Sequence, residues 1–271
     1  MTRSAYRFFI KDWTRLGDLD RCADAVATMR YSTNLESVVL EHPAAERILV
    51  IAPHPDDEML GPGGTLLKAI AAGSRVRVLY LTQGRPAQAA TVVAEATAAA
   101  KCAGYEQYFL DYFSRELPLD TDCLSRIRSE IETFQPEVLM LPFFCDDHDD
   151  HRRASHLLWL LHQERALPSK IQVWAYQVYT ALIPNVVVDI SEFAERKREL
   201  IHLWVSQAKS RDWGHFALGL NAFNSRFLST TTMPCYAEAF FVLPVADYCD
   251  LSGGYFEGKG TCYYSENYCN D

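Results

Sequence analysis

The sequence predicts an α/β fold: a Rossmann-like, mostly parallel sheet with helices on both faces and a functional site at the carboxyl edge of the strands. Three observations point to it. Short apolar runs alternate with helical stretches between residues 47 and 142, the first run stops abruptly at Pro53, and two His/Asp-rich segments, His54–Glu58 and His148–His151, each come soon after such a run. Strands alternating with helices favour a parallel sheet with crossover helices. In such sheets ligands bind beyond the carboxyl ends of the strands, so both polar segments are expected at one edge.

The run Arg47–Ala52 reads as a strand buried on both faces. Pro62 suits a first helical turn, Leu66, Leu67 and Ile70 form a helical stripe, and Gly73 closes it. A second strand is expected at Arg75–Thr82, an Ala-rich helix at about 88–103 ending on Gly104, and a strand at about 105–110. A helix at about 121–134 then leads into an apolar strand at 137–142. Beyond it, 152–165 reads as helix, and 171–178 and 185–189 as strands. Ser191 is placed to cap a long helix to about Ala208. Residues 209–229, rich in Gly, Asn, Arg and aromatics, read as a long loop walling a pocket, and 237–243 as a last strand. The domain organisation follows: a helical extension over 1–45, one main domain over 46–245, and its C-terminal tail over 246–271.

Composition narrows the function classes. With 49% hydrophobic and 23% charged residues, the 271-residue chain is an ordinary globular protein. A net charge of -9 disfavours a nucleic-acid partner, since that binding rests on cations neutralising phosphates. The first residues are interrupted by Arg3, Arg7, Lys11 and Asp12, unlike a signal peptide, and no apolar run reaches membrane-spanning length. A cytoplasmic location is expected. The eight cysteines form no CxxC pair and read as free thiols, although four of them, Cys235, Cys249, Cys262 and Cys269, cluster late enough to leave a disulfide or minor metal site open.

The two polar segments carry the chemistry. A hydrolytic metal site needs about three N or O ligands and an open position for water. His54, Asp57 and His151 can supply the three, while the adjacent Asp56 projects elsewhere and is free to take a proton. Imidazole ligands favour Zn2+ over Mg2+, with other divalent transition metals as alternatives. A purely structural alternative stands beside this: the carboxylates of 56–57 cap the helix near Pro62, and 148–151 is an acidic helix start. The glycines after Asp57 lack both the Lys-Ser/Thr ending of a P-loop and dinucleotide spacing.

Pro53-His54-Pro55-Asp56-Asp57-Glu58 with Gly61-Pro62-Gly63-Gly64, followed by His148-Asp149-Asp150-His151, resembles the PIG-L/LmbE-like N-deacetylases. The resemblance spans roughly 47 to 243, with echoes at Ser206-Gln207 and Ala237–Phe240. It implies a zinc-dependent hydrolase that removes acetyl from an N-acetylated amino sugar or sugar conjugate, giving acetate and a free amine. It further implies His54, Asp57 and His151 as metal ligands and Asp56 as general base. His148 stabilises the tetrahedral intermediate or protonates the amine, Asp150 orients and charges His148, and Glu58 supports the loop. The implied partner is a small N-acetylated sugar or glycoconjugate; a homo-oligomer is left open. One departure touches substrate binding: the family often carries a sugar-gripping Arg three residues before the Glu that stands here as Glu95, and this chain has Val92. Arg85, Arg211 or Arg226 is expected to compensate, Asp111 to bond a sugar hydroxyl, His215 to reach the site from the variable loop, and Trp213 or Tyr176 to stack on a sugar ring. Alternatives are an amidase acting on a non-sugar amide such as a thiol conjugate, a phosphoesterase, and a non-catalytic binding protein that keeps the fold.

Overall fold

The computed structural model describes residue 24 and residues 37–257, apart from 181, 210 and 230–233. Most of the expected N-terminal extension, and Cys22, Cys262 and Cys269, lie outside the described residues. In chain order the elements are β1 (Val38–Leu40), β2 (Arg47–Ala52), α1 (Asp57–Leu60), α2 (Gly63–Ala71), β3 (Arg75–Thr82), α3 (Ala89–Ala103), β4 (Glu106–Tyr112) and α4 (Thr121–Phe134). There follow β5 (Val138–Pro142), α5 (Asp149–Gln163), β6 (Gln172–Tyr176), β7 (Val186–Asp189), α6 (Ala194–Ile201), α7 (Val205–Ala208), α8 (Trp213–Asn224), β8 (Ala237–Pro244) and α9 (Val245–Phe256).

The strands form one eight-stranded sheet in the order β1-β7-β8-β6-β5-β2-β3-β4. Only β8 runs antiparallel, to β6 and β7. The sheet is therefore mostly parallel, as expected. Its central strands β2, β3 and β5 are buried almost throughout, which is why they read as continuous apolar runs rather than alternating ones. Side chains of one sheet face pack with α4, α5 and α9 around Leu49, Leu79, Leu139 and Phe241, and those of the other with α2 and α3 around Val50, Val78, Met140 and Phe240.

Register brings the two polar segments together. β2 pairs with both β3 and β5, with Val50 opposite Val78 and Met140. The chain leaves β2 and β5 at neighbouring positions on the carboxyl edge, where helices depart to opposite faces and a crevice opens. Thr82 fastens the loop after β2: its N–H and Oγ1–H both donate to Pro53 O, at 3.0 and 2.8 Å.

Three expectations are corrected. Residues 38–40 form the edge strand β1 rather than helix, paired in register with Val186–Val188. The helix expected from Ser191 to Ala208 breaks between Ile201 and Val205, and the Ser191 hydroxyl donates to Asp189 Oδ1 at 2.6 Å instead of capping. The expected loop 209–229 contains α8, because Asp212 caps it by accepting the N–H of His215. Where the sequence signals no element beyond residue 246, α9 packs onto the sheet and buries Tyr248, Leu251 and Tyr255 in the core. No helix among the described residues is long and apolar enough to cross a membrane.

Candidate active site

The loop after β2 folds back on itself around Asp57. The Asp57 carboxylate is fully buried, and its Oδ2 accepts the backbone N–H of His54 at 2.8 Å. The same oxygen lies 3.1 Å from His54 Nδ1 and 3.1 Å from His151 Nε2, and those two nitrogens are 3.3 Å apart. Ligands of one tetrahedral zinc, each about 2.0–2.1 Å from the ion, stand about 3.3 Å from one another. The His54, Asp57 and His151 triangle has that size. Asp57 Oδ1 is buried without a hydrogen-bond partner, as expected of a carboxylate oriented for something other than protein. A ring nitrogen of His148 also lies within 4.8 Å of nitrogens of His54 and His151, forming a looser three-imidazole group.

The helix α5 supplies the second segment, and its first turn explains the spacing. His148 is the N-cap, its Nδ1 accepting the N–H of Asp150 at 3.1 Å, so in the neutral ring the proton sits on Nε2. His151, one turn on, points into the loop of β2. The structural alternative and the functional one thus coincide at His148. They separate at Asp56 and Asp57: neither caps the helix near Pro62, whose first amides are taken by the Glu238 carboxylate.

Asp150 departs from expectation. Its carboxylate accepts the N–H of Arg115 at 2.9 Å and meets His54 Nε2 at 2.8 Å, whereas His148 Nδ1 is 4.0 Å away. It orients His54 rather than His148. The corresponding anchor of His151 is Asp146, 3.0 Å from its Nδ1, which also accepts the amides of His148 and Tyr179. The sequence reading passed over Asp146, although it belongs to the same acidic run. Carboxylates behind both imidazoles fix their ring orientation.

Charge follows this geometry. Burial acts to raise the Asp57 pKa, but the His151 and His54 imidazoles outweigh it and hold the carboxyl well below its ordinary range. At Asp56 the balance reverses: burial and the neighbouring Asp57 outweigh the pull of His54 and His151 and push its pKa well up. His148 is pushed down to about 4 by burial and by repulsion from His54 and His151. Asp56 also carries a backbone φ of 125°, a conformation that costs a non-glycine residue about 1–3 kcal/mol and persists only when its surroundings impose it.

A cavity of about 190 Å³ opens beside these groups, its lining including His54, Asp56, His148 and Tyr179 with Arg85, Gln88, Val92, Ser114, Gln207 and Trp213. Of the expected substrate contacts Arg85 lines the cavity. Asp111 pairs with Arg126 at 3.5 Å, Arg226 stacks on Phe223 and Phe227, and His215 is exposed on α8; none of these three lines it. Arg211 lies behind the wall, over the ring of Trp213 at 5.2 Å. Trp213 is well placed to stack on a ligand; Tyr176 is not, being buried where an added Cβ on Gly61 would lie 2.3 Å from its ring. Close packing of this kind also explains Gly64, whose Cβ would stand 2.7 Å from Ile190. Glu95 turns away from the cavity and binds the N–H and hydroxyl of Ser206, seating α7 so that Gln207 reaches the lining.

Beneath the loop lies a buried cation. Lys197 Nζ donates to Leu60 O, Gly61 O, Asn221 Oδ1 and Glu238 Oε1 at 2.7–3.1 Å, and Glu238 accepts the amides of Gly64 and Thr65. The pair therefore grips both the end of α1 and the start of α2. Nothing in the spacing of Lys197 or Asn221 signals this.

The fold is α/β, shared with solved deacetylase structures, and residues 49–161 match the family model described as GlcNAc-PI de-N-acetylase. The chain is 27% identical over 193 residues to the diacetylchitobiose deacetylase of Thermococcus kodakarensis, covering 62% of this chain and 72% of that one. It superposes on the N,N'-diacetylchitobiose deacetylase of Pyrococcus horikoshii with a TM-score of 0.64 at 22% identity, over 89% of this chain and 97% of the other. The same fold is shared with GalB, a 4-carboxy-2-hydroxymuconate hydratase of Pseudomonas putida KT2440, with a TM-score of 0.59 at 22% identity over 73% and 96% of the chains.

Proposed function

We propose that this chain is a metal-dependent N-deacetylase that hydrolyses the acetamide of an N-acetylated amino sugar or sugar conjugate to acetate and a free amine. The observation that carries it is the 3.1–3.3 Å triangle of His54, Asp57 and His151 atoms with Asp56 beside it on the cavity. Two nitrogens and a carboxylate oxygen suit Zn2+ among the divalent transition metals. Such an ion supplies Lewis acidity toward the amide carbonyl and lowers the pKa of water.

The protein groups divide the remaining work. Asp57 and the two imidazoles would hold the ion, their rings kept in place by Asp150 and Asp146. Asp56, on the cavity and raised in pKa, takes the proton of the attacking water. His148, with its proton on Nε2, donates a hydrogen bond to the developing oxyanion, and the proton taken up by Asp56 passes to the departing amine. Trp213 and Tyr179 offer ring faces to the sugar. Val92 gives an apolar contact where the family often has an Arg. A cytoplasmic location accords with Cys102, Cys123 and Cys249 being free thiols.

The test is an acetate-release screen over N-acetylated sugars and their conjugates, with metal content measured on the same sample. Stoichiometric acetate and amine, lost on chelation and restored by Zn2+ or another divalent transition metal, is the expected result. Metal-loaded protein that releases acetate from none of them, while hydrolysing other amides or phosphoesters, would overturn the proposal.

A further inference from the structure

We infer that Glu58 is a positioning residue for Asp56: it holds the backbone of the proposed base in the left-handed conformation that aims its carboxyl group at the cavity. The inference rests on Asp56 being the base. Asp56 stands at φ 125° and ψ -26°, a region that side-chain-bearing residues rarely enter. Its N–H donates to Glu58 Oε2 at 3.1 Å, while its carbonyl accepts the amides of Met59 and Leu60 at 2.9 and 2.8 Å. Glu58 is fully buried, and its other oxygen, Oε1, accepts the Tyr105 hydroxyl at 2.8 Å. Tyr105 in turn meets the Tyr80 hydroxyl at 3.1 Å. The carboxyl group is thus pinned from behind by Tyr105 and by Tyr80 of β3, and its Oε2 accepts the Asp56 amide, with the Glu58 amide bonded to the same carboxyl group.

Removing that acceptor leaves a buried N–H without a partner, which is costly. The readiest relief is a rearrangement of the backbone at Asp56 to negative φ, which moves its Cβ and carries the carboxyl group off the cavity. Asp57 has its own tie, the His54 amide at 2.8 Å, so the metal ligands stay. The expected signature is therefore a loss of turnover without loss of metal or of substrate affinity.

The experiment compares Glu58→Met, Glu58→Gln and Asp56→Asn, measuring kcat, KM and bound metal on an N-acetylated sugar that the parent hydrolyses. Glu58→Met is expected to lower kcat about 100-fold or more, toward the loss seen on removing a general base, with KM and metal content near parental. Glu58→Gln is expected within about threefold of the parent, because its carbonyl oxygen still accepts from Asp56 and its amide donates to Tyr105. Parental kcat in Glu58→Met overturns the inference, as does a Gln variant as impaired as the Met one, which would make charge rather than the acceptor decisive. If Glu58→Met loses metal or fold, Tyr105→Phe decides. Freeing Oε1 is expected to lower kcat several-fold at unchanged KM, and an unchanged kcat overturns the inference. Parental turnover in Asp56→Asn would instead show that the base is misassigned, a failure of the underlying reading and not of the grip on residue 56.

Discussion

The two halves of the sheet do different work. From β2 to α5 the chain supplies the groups proposed to react or to hold the metal, His54, Asp56, Asp57, His148 and His151, on two loops that leave adjacent parallel strands. From β6 to α9 it supplies what surrounds them: Tyr179, Gln207 and Trp213 on the cavity, and Lys197, Asn221 and Glu238 beneath the loop. The first half is regular because crossover helices and parallel strands leave little freedom. The second is irregular, with an antiparallel strand and three short or broken helices. Chemistry is therefore placed by topology, and selectivity by side-chain packing.

The largest expected effect tests the first half. Asp56→Asn should keep its metal and lose about 10²- to 10⁴-fold in kcat, the range for general-base removal, as read by acetate release beside metal analysis. Next comes the support from the second half. Lys197→Met leaves Glu238 buried without its cation, which should cost about 3–5 kcal/mol in denaturant unfolding. Adding Glu238→Gln should recover part of that loss, the two residues being in one network. If Lys197→Met unfolds at the parental midpoint, the pair does not hold the loop.

A smaller effect probes the division itself. Trp213→Ala should raise KM about tenfold on a sugar substrate while kcat changes little, from loss of about 1–1.5 kcal/mol of stacking. Arg226→Ala and His215→Ala, off the cavity, should leave both constants near parental. A Trp213→Ala variant that lost kcat and kept KM would break the separation between reacting and surrounding halves. The smallest effect lies on the seam, where His156 of α5 stacks at 4.4 Å on Phe256 of α9. Burial lowers the His156 pKa from 6.5 to about 4, so below about 6.5 the unfolded chain binds a proton that the folded chain resists. Stability should fall as pH drops through that window. His156→Gln should flatten the fall, read as unfolding midpoints across the range.

Much of the candidate site was legible because its residues are contiguous. The His54–Glu58 and His148–His151 runs sit at strand ends, and strand ends are visible as the points where apolar runs stop. Asp150 was legible as a site residue but not in its partner, since whether it meets His54 or His148 depends on the first turn of α5 and on Arg115. The expected arginines fared worse. A guanidinium reaches far, and packing sent Arg226 to Phe223 and Arg211 behind Trp213. The misread loop at 209–229 has a local cause: its composition hid the Asp212 cap of α8.

By itself, then, the sequence determined the alternating α/β order, the buried central strands and the two His/Asp segments, because each depends on neighbours within a few residues along the chain. Tertiary structure alone decided the 3.1–3.3 Å triangle, the Lys197–Glu238 grip under the loop, and which aromatic rings wall the cavity. Each of those joins groups from different elements, and such distances are set by strand register and helix packing rather than by local spacing.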